Sequence, residues 1–240
     1  MNPIAHIESC FPQKFGVPRQ SGIVETPARI VFEPEYRVAE AVRGLEGFDY
    51  IWLLWQFNTA PDCQSGDRAG TALDCQTGPR AWNPTVRPPR LGGNERMGVF
   101  ATRSPFRPNP IGLSSVRLTG IEFSPSLGPL LHISGADLMD GTPILDIKPY
   151  LAYTDSHPDA RCGFAPTPAE RLLEVVLPEH LRQQLPAPLR LPLEEVLAHD
   201  PRPQYHHDPE REYGLLFAGF NVRFKVRDGK VEVVAIGSSQ

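Results

Sequence analysis

Two stretches of this 240-residue chain carry side chains whose types and spacing suit chemistry. The first is Arg103-Ser104-Pro105-Phe106-Arg107-Pro108-Asn109-Pro110-Ile111-Gly112. Its prolines fix φ and remove backbone donors, so it is neither helix nor central strand but a stiff loop that aims Arg103 and Arg107 in set directions. A guanidinium presents a fork of donors that matches a carboxylate or a phosphate, and such a loop suits an anionic ligand. The same composition also fits a polyproline-type connector with solvated arginines, and the residues alone leave both readings open. The second stretch, Ala136-Asp137-Leu138-Met139-Asp140-Gly141-Thr142-Pro143, is an acidic turn. Its amides and carboxylates can take the hydroxyls of a ribose or sit near a sulfonium cation, although Asp-Gly also simply makes turns.

Charge points the same way. The formal net charge is -4, yet between residues 79 and 117 seven arginines (80, 87, 90, 96, 103, 107, 117) face one acid, Glu95. Within this region Pro84-Thr85-Val86-Arg87-Pro88-Pro89-Arg90 is again stiffened by proline. An acidic protein with a basic middle suits a phosphate backbone or nucleotide, with a solvated basic face as the plainer alternative. His206-His207-Asp208 has no further ligand at a metal-binding spacing, so no metal is expected, and a metal-dependent hydrolase ranks last. No Ser/His/Asp or Cys/His nucleophile signature is present. No G-x-G occurs, which removes the dinucleotide turn and the P-loop and sends any nucleotide-like cofactor to another fold. Four cysteines (10, 63, 75, 162), none in a C-x-x-C pair, read as free thiols.

The elements that must position these groups are mostly short strands. Runs at residues 4–8, 22–32 (interrupted by Pro27), 48–57, 97–102, 113–123, 130–134 and 144–148 are separated by Gly, Pro, Ser and Asp. Val38, Ala41, Val42 and Leu45 have the spacing of one helical face and predict a helix over 37–45. Residues 60–82 are polar and predict a mobile surface loop. Pro158, Pro166 and Pro168 mark a linker. Beyond it, helices are expected at 169–185 and 193–199, followed by a hairpin in which Phe220, Val222, Phe224 and Val226 alternate with polar residues before Asp228-Gly229. The expected fold is mainly β with α: a β-barrel N-terminal domain over 1–157 and a small α+β C-terminal domain over 158–240. No basic start precedes an apolar stretch, and the run Tyr50-Ile51-Trp52-Leu53-Leu54-Trp55 is far short of a membrane span. The expectation is a cytoplasmic protein with no membrane partner.

Arg87-Pro88-Pro89-Arg90-Leu91-Gly92-Gly93-Asn94, the run from Met97-Gly98-Val99-Phe100 through Arg103 to Gly112, and Asp140-Gly141-Thr142-Pro143-Ile144-Leu145-Asp146-Ile147-Lys148-Pro149-Tyr150 together resemble the TrmO (TsaA) family of tRNA methyltransferases. The likeness extends to Ala41-Val42-Arg43-Gly44-Leu45-Glu46, Asp200-Pro201-Arg202-Pro203 and Phe220-Asn221-Val222-Arg223, nearly the whole chain. The resemblance implies a homodimer of β-barrel domains that uses S-adenosylmethionine to methylate N6 of threonylcarbamoyladenosine next to the anticodon of threonine tRNA. By similarity the cofactor lies against Ser21, Gly22, Ile23, Asn58, Thr59, Arg103, Leu113, Asp137, Leu138, Met139, Asp140 and Gly141. Loss of the N6 proton needs help, and Asp137 and Asp140 are the candidate catalytic groups. Arg87, Arg90 and Arg107 are the candidate RNA contacts. A non-catalytic RNA-binding module is the alternative from another class.

Overall fold

The computed structural model describes residues 1–57, 83–88, 91, 95–165, 172–202 and 208–238. Strands β1 (Ala5–Glu8), β2 (Pro27–Phe32) and β3 (Tyr50–Gln56) are followed by a separate two-stranded ribbon of β4 (Thr85–Val86) and β5 (Met97–Gly98). Then come β6 (Ile111–Ser124), β7 (Gly128–Ser134) and β8 (Pro143–Pro149). Six of these close into a barrel in the order β1-β2-β7-β6-β3-β8. Every neighbouring pair is antiparallel, and β1 seals the circle against β8 through Ala5↔Ile144 and His6↔Pro143.

The period of two explains what fills the barrel. In β3, Ile51, Leu53 and Trp55 are buried while Tyr50 and Gln56 are exposed. With Ile7, Ile30, Val116, Leu131, Ile133 and Ile144 they form one buried cluster, a packed core of the kind that fills a small barrel.

A second core lies beyond the barrel. Helix α1 (Ala152–Asp155) leads toward β9 (Glu174–Val176), α2 (Glu179–Arg182), α3 (Ala187–Ala198), β10 (Tyr213–Phe217), β11 (Phe220–Arg227) and β12 (Lys230–Ser238). The sheet order is β10-β11-β12-β9, with β9 parallel to β12. Asp228 (φ 48) and Gly229 (φ 77) both take positive φ, as a tight hairpin turn that matches strand twist requires. Leu193, Val196 and Leu197 of α3 pack on Leu215, Phe217, Val222 and Phe224.

The segment after β1 belongs to this second core as well. Cys10, Phe11 and Val24 are buried in it, and Phe11 meets Phe217 edge to face with centroids 5.8 Å apart. Phe15 stacks on Phe224, and the Ala218 amide donates to the Cys10 carbonyl at 2.8 Å. The chain thus leaves the barrel at Glu8, anchors in the second core, and returns at Pro27.

Three expected elements differ. The helix over 37–45 is instead two 3-10 turns, Ala39–Val42 and Leu45–Gly47, because Gly44 (φ 87) breaks the run and only Val42 of the spaced apolar residues is buried. In place of one helix over 169–185, the described residues hold β9 and the single turn α2, with Pro178 just before that turn. The strand over 97–102 shrinks to β5 and a 3-10 turn, Val99–Ala101. Residues 60–82 lie outside the described part of the chain.

Candidate functional site

Strand β6 inverts the usual pattern. Leu113 is 52% exposed, whereas Ser114 beside it is 1% exposed. The cause lies across the ladder, where Trp55 stands opposite Gly112 and diagonal to Ser114. A Cβ at position 112 would fall on the Trp55 ring, so only glycine lets the indole lie over β6. From there Trp55 Nε1 donates to Ser114 Oγ at 3.0 Å, and Ser114 Oγ donates to Asp137 Oδ1 at 2.5 Å.

Asp137 sits on the turn between β7 and β8. Gly135 (φ 85) begins it, donates to the Thr26 carbonyl at 3.1 Å and accepts from the Gly22 amide at 2.8 Å. A Cβ on Gly135 would stand 3.3 Å from Gly22 Cα, so the close approach of the two backbones depends on glycine here. The far end of the turn is tied to the segment after β1. The Asp140 amide donates to the Phe11 carbonyl at 2.8 Å and the Gly141 amide to the Ile7 carbonyl at 2.8 Å. Asp140 Oδ1 accepts from the Ser9 amide at 2.9 Å, and Ser9 Oγ donates to the Leu138 carbonyl at 2.9 Å.

Arginines approach from the proline-rich loop. The exposed Arg103 donates through Nη1 to the Gln20 side-chain oxygen, one residue before Ser21. Arg107 folds back, with Nη1 donating to the Thr102 carbonyl at 3.3 Å. Burial pushes the Asp137 carboxyl above its usual range. The Ser114 hydroxyl, the Asp137 amide, the Arg103 charge and the Ser21 amide all pull it back toward the ionised form. Cys10 is no nucleophile, since burial and then the Asp140 charge push its thiol up to about 11.

The fold therefore brings together Ser21, Arg103 and Asp137, with Leu113 next in sequence to Ser114. Gln20, Ser114 and Trp55 complete the group and were not singled out by sequence reasoning; the buried Ser114 beside an exposed Leu113 is the only trace they leave in β6. Leu138 is buried and packs into the barrel core, the Met139 carbonyl accepts from Thr142 Oγ1 at 2.7 Å, and Ile23 packs against the second core. Gly22 (φ 75) and Gly141 (φ 71) have open space where a Cβ would be. Arg87 is exposed just after β4. Asn58, Thr59 and Arg90 lie outside the described residues, as do Cys63, Cys75, His206 and His207. Among the described residues, no group of three or more His, Cys, Asp or Glu is placed to hold a metal ion, and Cys10 and Cys162 are free thiols.

A cleft of about 360 Å³ opens between residues 14–24 and the end of α3. Lys14, Phe15, Pro18, Arg19, His199 and Arg202 are among the residues lining it, and the Arg202 fork grips Asp200 through bonds of 2.7 and 2.8 Å.

This donor set fits a molecule that carries both a carboxylate and a cationic centre. Arg103 suits the first and the desolvated Asp137 the second.

Comparison with known proteins identifies the family of the whole chain. Residues 6–156 match the model of the tRNA-methyltransferase O N-terminal domain, and residues 170–239 match that of the TrmO C-terminal domain. A tRNA (adenine(37)-N6)-methyltransferase of Escherichia coli is 42% identical over 242 residues, covering 97% of this chain and 95% of the relative. A "Probable S-adenosyl-L-methionine-binding protein" of Pyrococcus abyssi is 33% identical over 163 residues, 68% of this chain and 73% of that one. A crystal structure of TrmO from Pseudomonas aeruginosa superposes with a TM-score of 0.74 at 32% identity, covering 99% of this chain and 97% of the other.

Proposed function

The chain belongs to the tRNA-methyltransferase O family, and from that premise we propose how it works as an S-adenosylmethionine-dependent tRNA (adenine-N6)-methyltransferase acting at position 37. Its substrate is N6-threonylcarbamoyladenosine next to the anticodon of threonine tRNA. The observation that carries the chemical part of this reading is the meeting of Arg103, Ser21 and the buried Asp137 at one end of the barrel.

Bound S-adenosylmethionine supplies a methyl group on a sulfonium sulfur, already activated for in-line displacement by a nitrogen. Arg103 grips the carboxylate of cofactor or substrate. The amides of Ser21 and Gly22, the Leu113 side chain and the turn from Asp137 to Gly141 orient the rest, and fixed orientation supplies most of the acceleration. A ureido-type N6 is a weak nucleophile, so Asp137 would accept its proton as the methyl passes from sulfur to nitrogen, the C–S bond breaking as the N–C bond forms. Burial raises the Asp137 carboxyl in the direction a base needs, while the Ser114 hydroxyl and the Arg103 charge pull it back toward the ionised form. Asp140, whose Oδ1 already accepts from Ser9, holds the turn in shape. Asn58 and Thr59 complete the cofactor site, while Arg87, Arg90 and Arg107 meet RNA phosphates. The basic side of the cleft at Lys14 and Arg19 gives the tRNA its approach.

We also place the division of labour at residue 157, with 1–157 holding the cofactor and 158–240 forming the smaller domain. The family models, which match 6–156 and 170–239, support this boundary. The working form is a cytoplasmic homodimer. The test of substrate is to offer threonine tRNA with and without the threonylcarbamoyl group, plus S-adenosylmethionine, and to analyse the nucleosides by mass spectrometry. Methylation of only the carbamoylated tRNA is expected. Equal methylation of both removes the substrate assignment while leaving the methyltransferase intact.

A further inference from the structure

We propose that Ser114, oriented by the Trp55 indole N–H, is the positioning residue that aims Asp137 for proton transfer. This rests on the reading of Asp137 as the proton acceptor.

An indole nitrogen only donates, so the 3.0 Å contact from Trp55 Nε1 must end on a lone pair of Ser114 Oγ. The serine hydroxyl has one hydrogen, and at 2.5 Å it goes to Asp137 Oδ1. That separation is at the short end of the O–H···O range, where charge-assisted bonds to a carboxylate fall. The indole therefore fixes a rotor that would otherwise turn freely. Packing fixes the indole in turn, since Trp55 is 8% exposed, lies over the bare Gly112 and meets Phe57 edge to face with centroids 4.3 Å apart.

A buried serine on a barrel strand where an apolar residue would fill the core needs such a reason, because an unused hydroxyl in that place costs stability. Three neighbouring segments bring a polar or charged group to Asp137. From β6 comes the Ser114 hydroxyl, from the proline-rich loop the Arg103 charge, and from the turn before β2 the Ser21 amide. Asp140, on the same turn, is held by Ser9.

Loss of the Ser114 hydroxyl removes a donor to the charged form and leaves burial less opposed, so the Asp137 carboxyl moves further up. Activity that needs ionised Asp137 then begins at higher pH. The experiment compares kcat against pH for methyl transfer to tRNA, together with S-adenosylmethionine affinity by calorimetry. It uses the full-length parent, Ser114→Ala, Ser114→Thr, Trp55→Phe and Asp137→Asn. Ser114→Ala is expected to move the acid limb up by about one pH unit and to lower kcat on that limb by up to about tenfold, with cofactor affinity within about threefold. Ser114→Thr, which keeps the hydroxyl, restores the parental limb. Trp55→Phe, which keeps a ring but not the N–H, moves the limb the same way by less.

An unchanged limb in both Ser114→Ala and Trp55→Phe, with Asp137→Asn inactive, overturns the positioning role and leaves Asp137 as the acceptor. Retained activity in Asp137→Asn overturns both. If Ser114→Ala does not fold, the Trp55→Phe limb decides alone.

Discussion

Among single residues, Arg103 and Asp137 are a pair with opposite demands. Arg103 is exposed and spends one nitrogen on Gln20, so its removal leaves no buried group unsatisfied. Asp137 is buried and tied into β6 through Ser114. Arg103→Ala should therefore leave thermal stability close to parental while weakening S-adenosylmethionine binding. A lost hydrogen bond to a charged group is worth about 1.5–3 kcal/mol, which corresponds to roughly 10- to 150-fold in affinity. Calorimetric titration checks this, and parental affinity would place Arg103 outside the cofactor site. Arg103 and Asp137 were legible in the sequence because proline density and an acidic turn are local features. Ser114 was not, because a lone serine in a strand has no spacing to read. Its signature is a conflict between pattern and fold, with Leu113 outward and Ser114 inward, and that conflict appears only once the register of β6 against β3 is known.

At the scale of elements, the segment from Ser9 to Thr26 does the most positioning and left the least mark in the sequence. It has no periodicity because its residues serve different masters in turn. Ser9 holds the Asp137–Gly141 turn, Phe11 and Phe15 enter the second core, Gln20 meets Arg103, and Gly22 pairs with Gly135. The barrel strands were legible because their alternation is repeated and bounded by turn residues. The helix over 37–45 was misread because an i, i+3, i+4 spacing of apolar residues also arises in consecutive 3-10 turns. Phe11→Ala tests whether the second core anchors the site. Removing a fully buried phenylalanine costs about 3–5 kcal/mol, so a lowered melting temperature is expected. Cofactor affinity should fall too, measured well below the melting temperature, although Phe11 is not assigned to the cofactor. Full affinity in the folded variant would mean that Ser21 and Gly22 are held by Gly135 and Thr26 without help from the second core.

On the scale of the whole molecule, charge and exposed apolar surface point to partners. The arginines between residues 79 and 117 displace counterions when they meet phosphates, and log affinity for RNA should fall by about 0.7–0.9 per phosphate contacted for each decade of salt. Replacing Arg87 and Arg90 together by alanine should flatten the slope by one or two contacts and leave cofactor binding unchanged. A parental slope in that variant would mark the segment as a solvated face. Phe106 and Leu113, each 52% exposed, lie on and beside the arginine loop, and the proposed homodimer would place a second copy of the chain over that surface. Sedimentation should give twice the 26.7 kDa chain mass and shift toward the monomer in Phe106→Asp, whereas a parental protein sedimenting as 26.7 kDa contradicts the homodimer.

The central claim, that this barrel transfers methyl groups from S-adenosylmethionine to tRNA, is tested most directly by incubating the purified protein with tRNA and S-adenosylmethionine carrying a labelled methyl group. Nucleosides from the digested tRNA are then separated and identified by mass. The account predicts label on N6 of the adenosine at position 37 and none elsewhere, lost in Asp137→Asn. Tight tRNA binding with no labelled nucleoside would contradict it, and would favour a non-catalytic RNA-binding module in which Arg103 and its neighbours only grip phosphate.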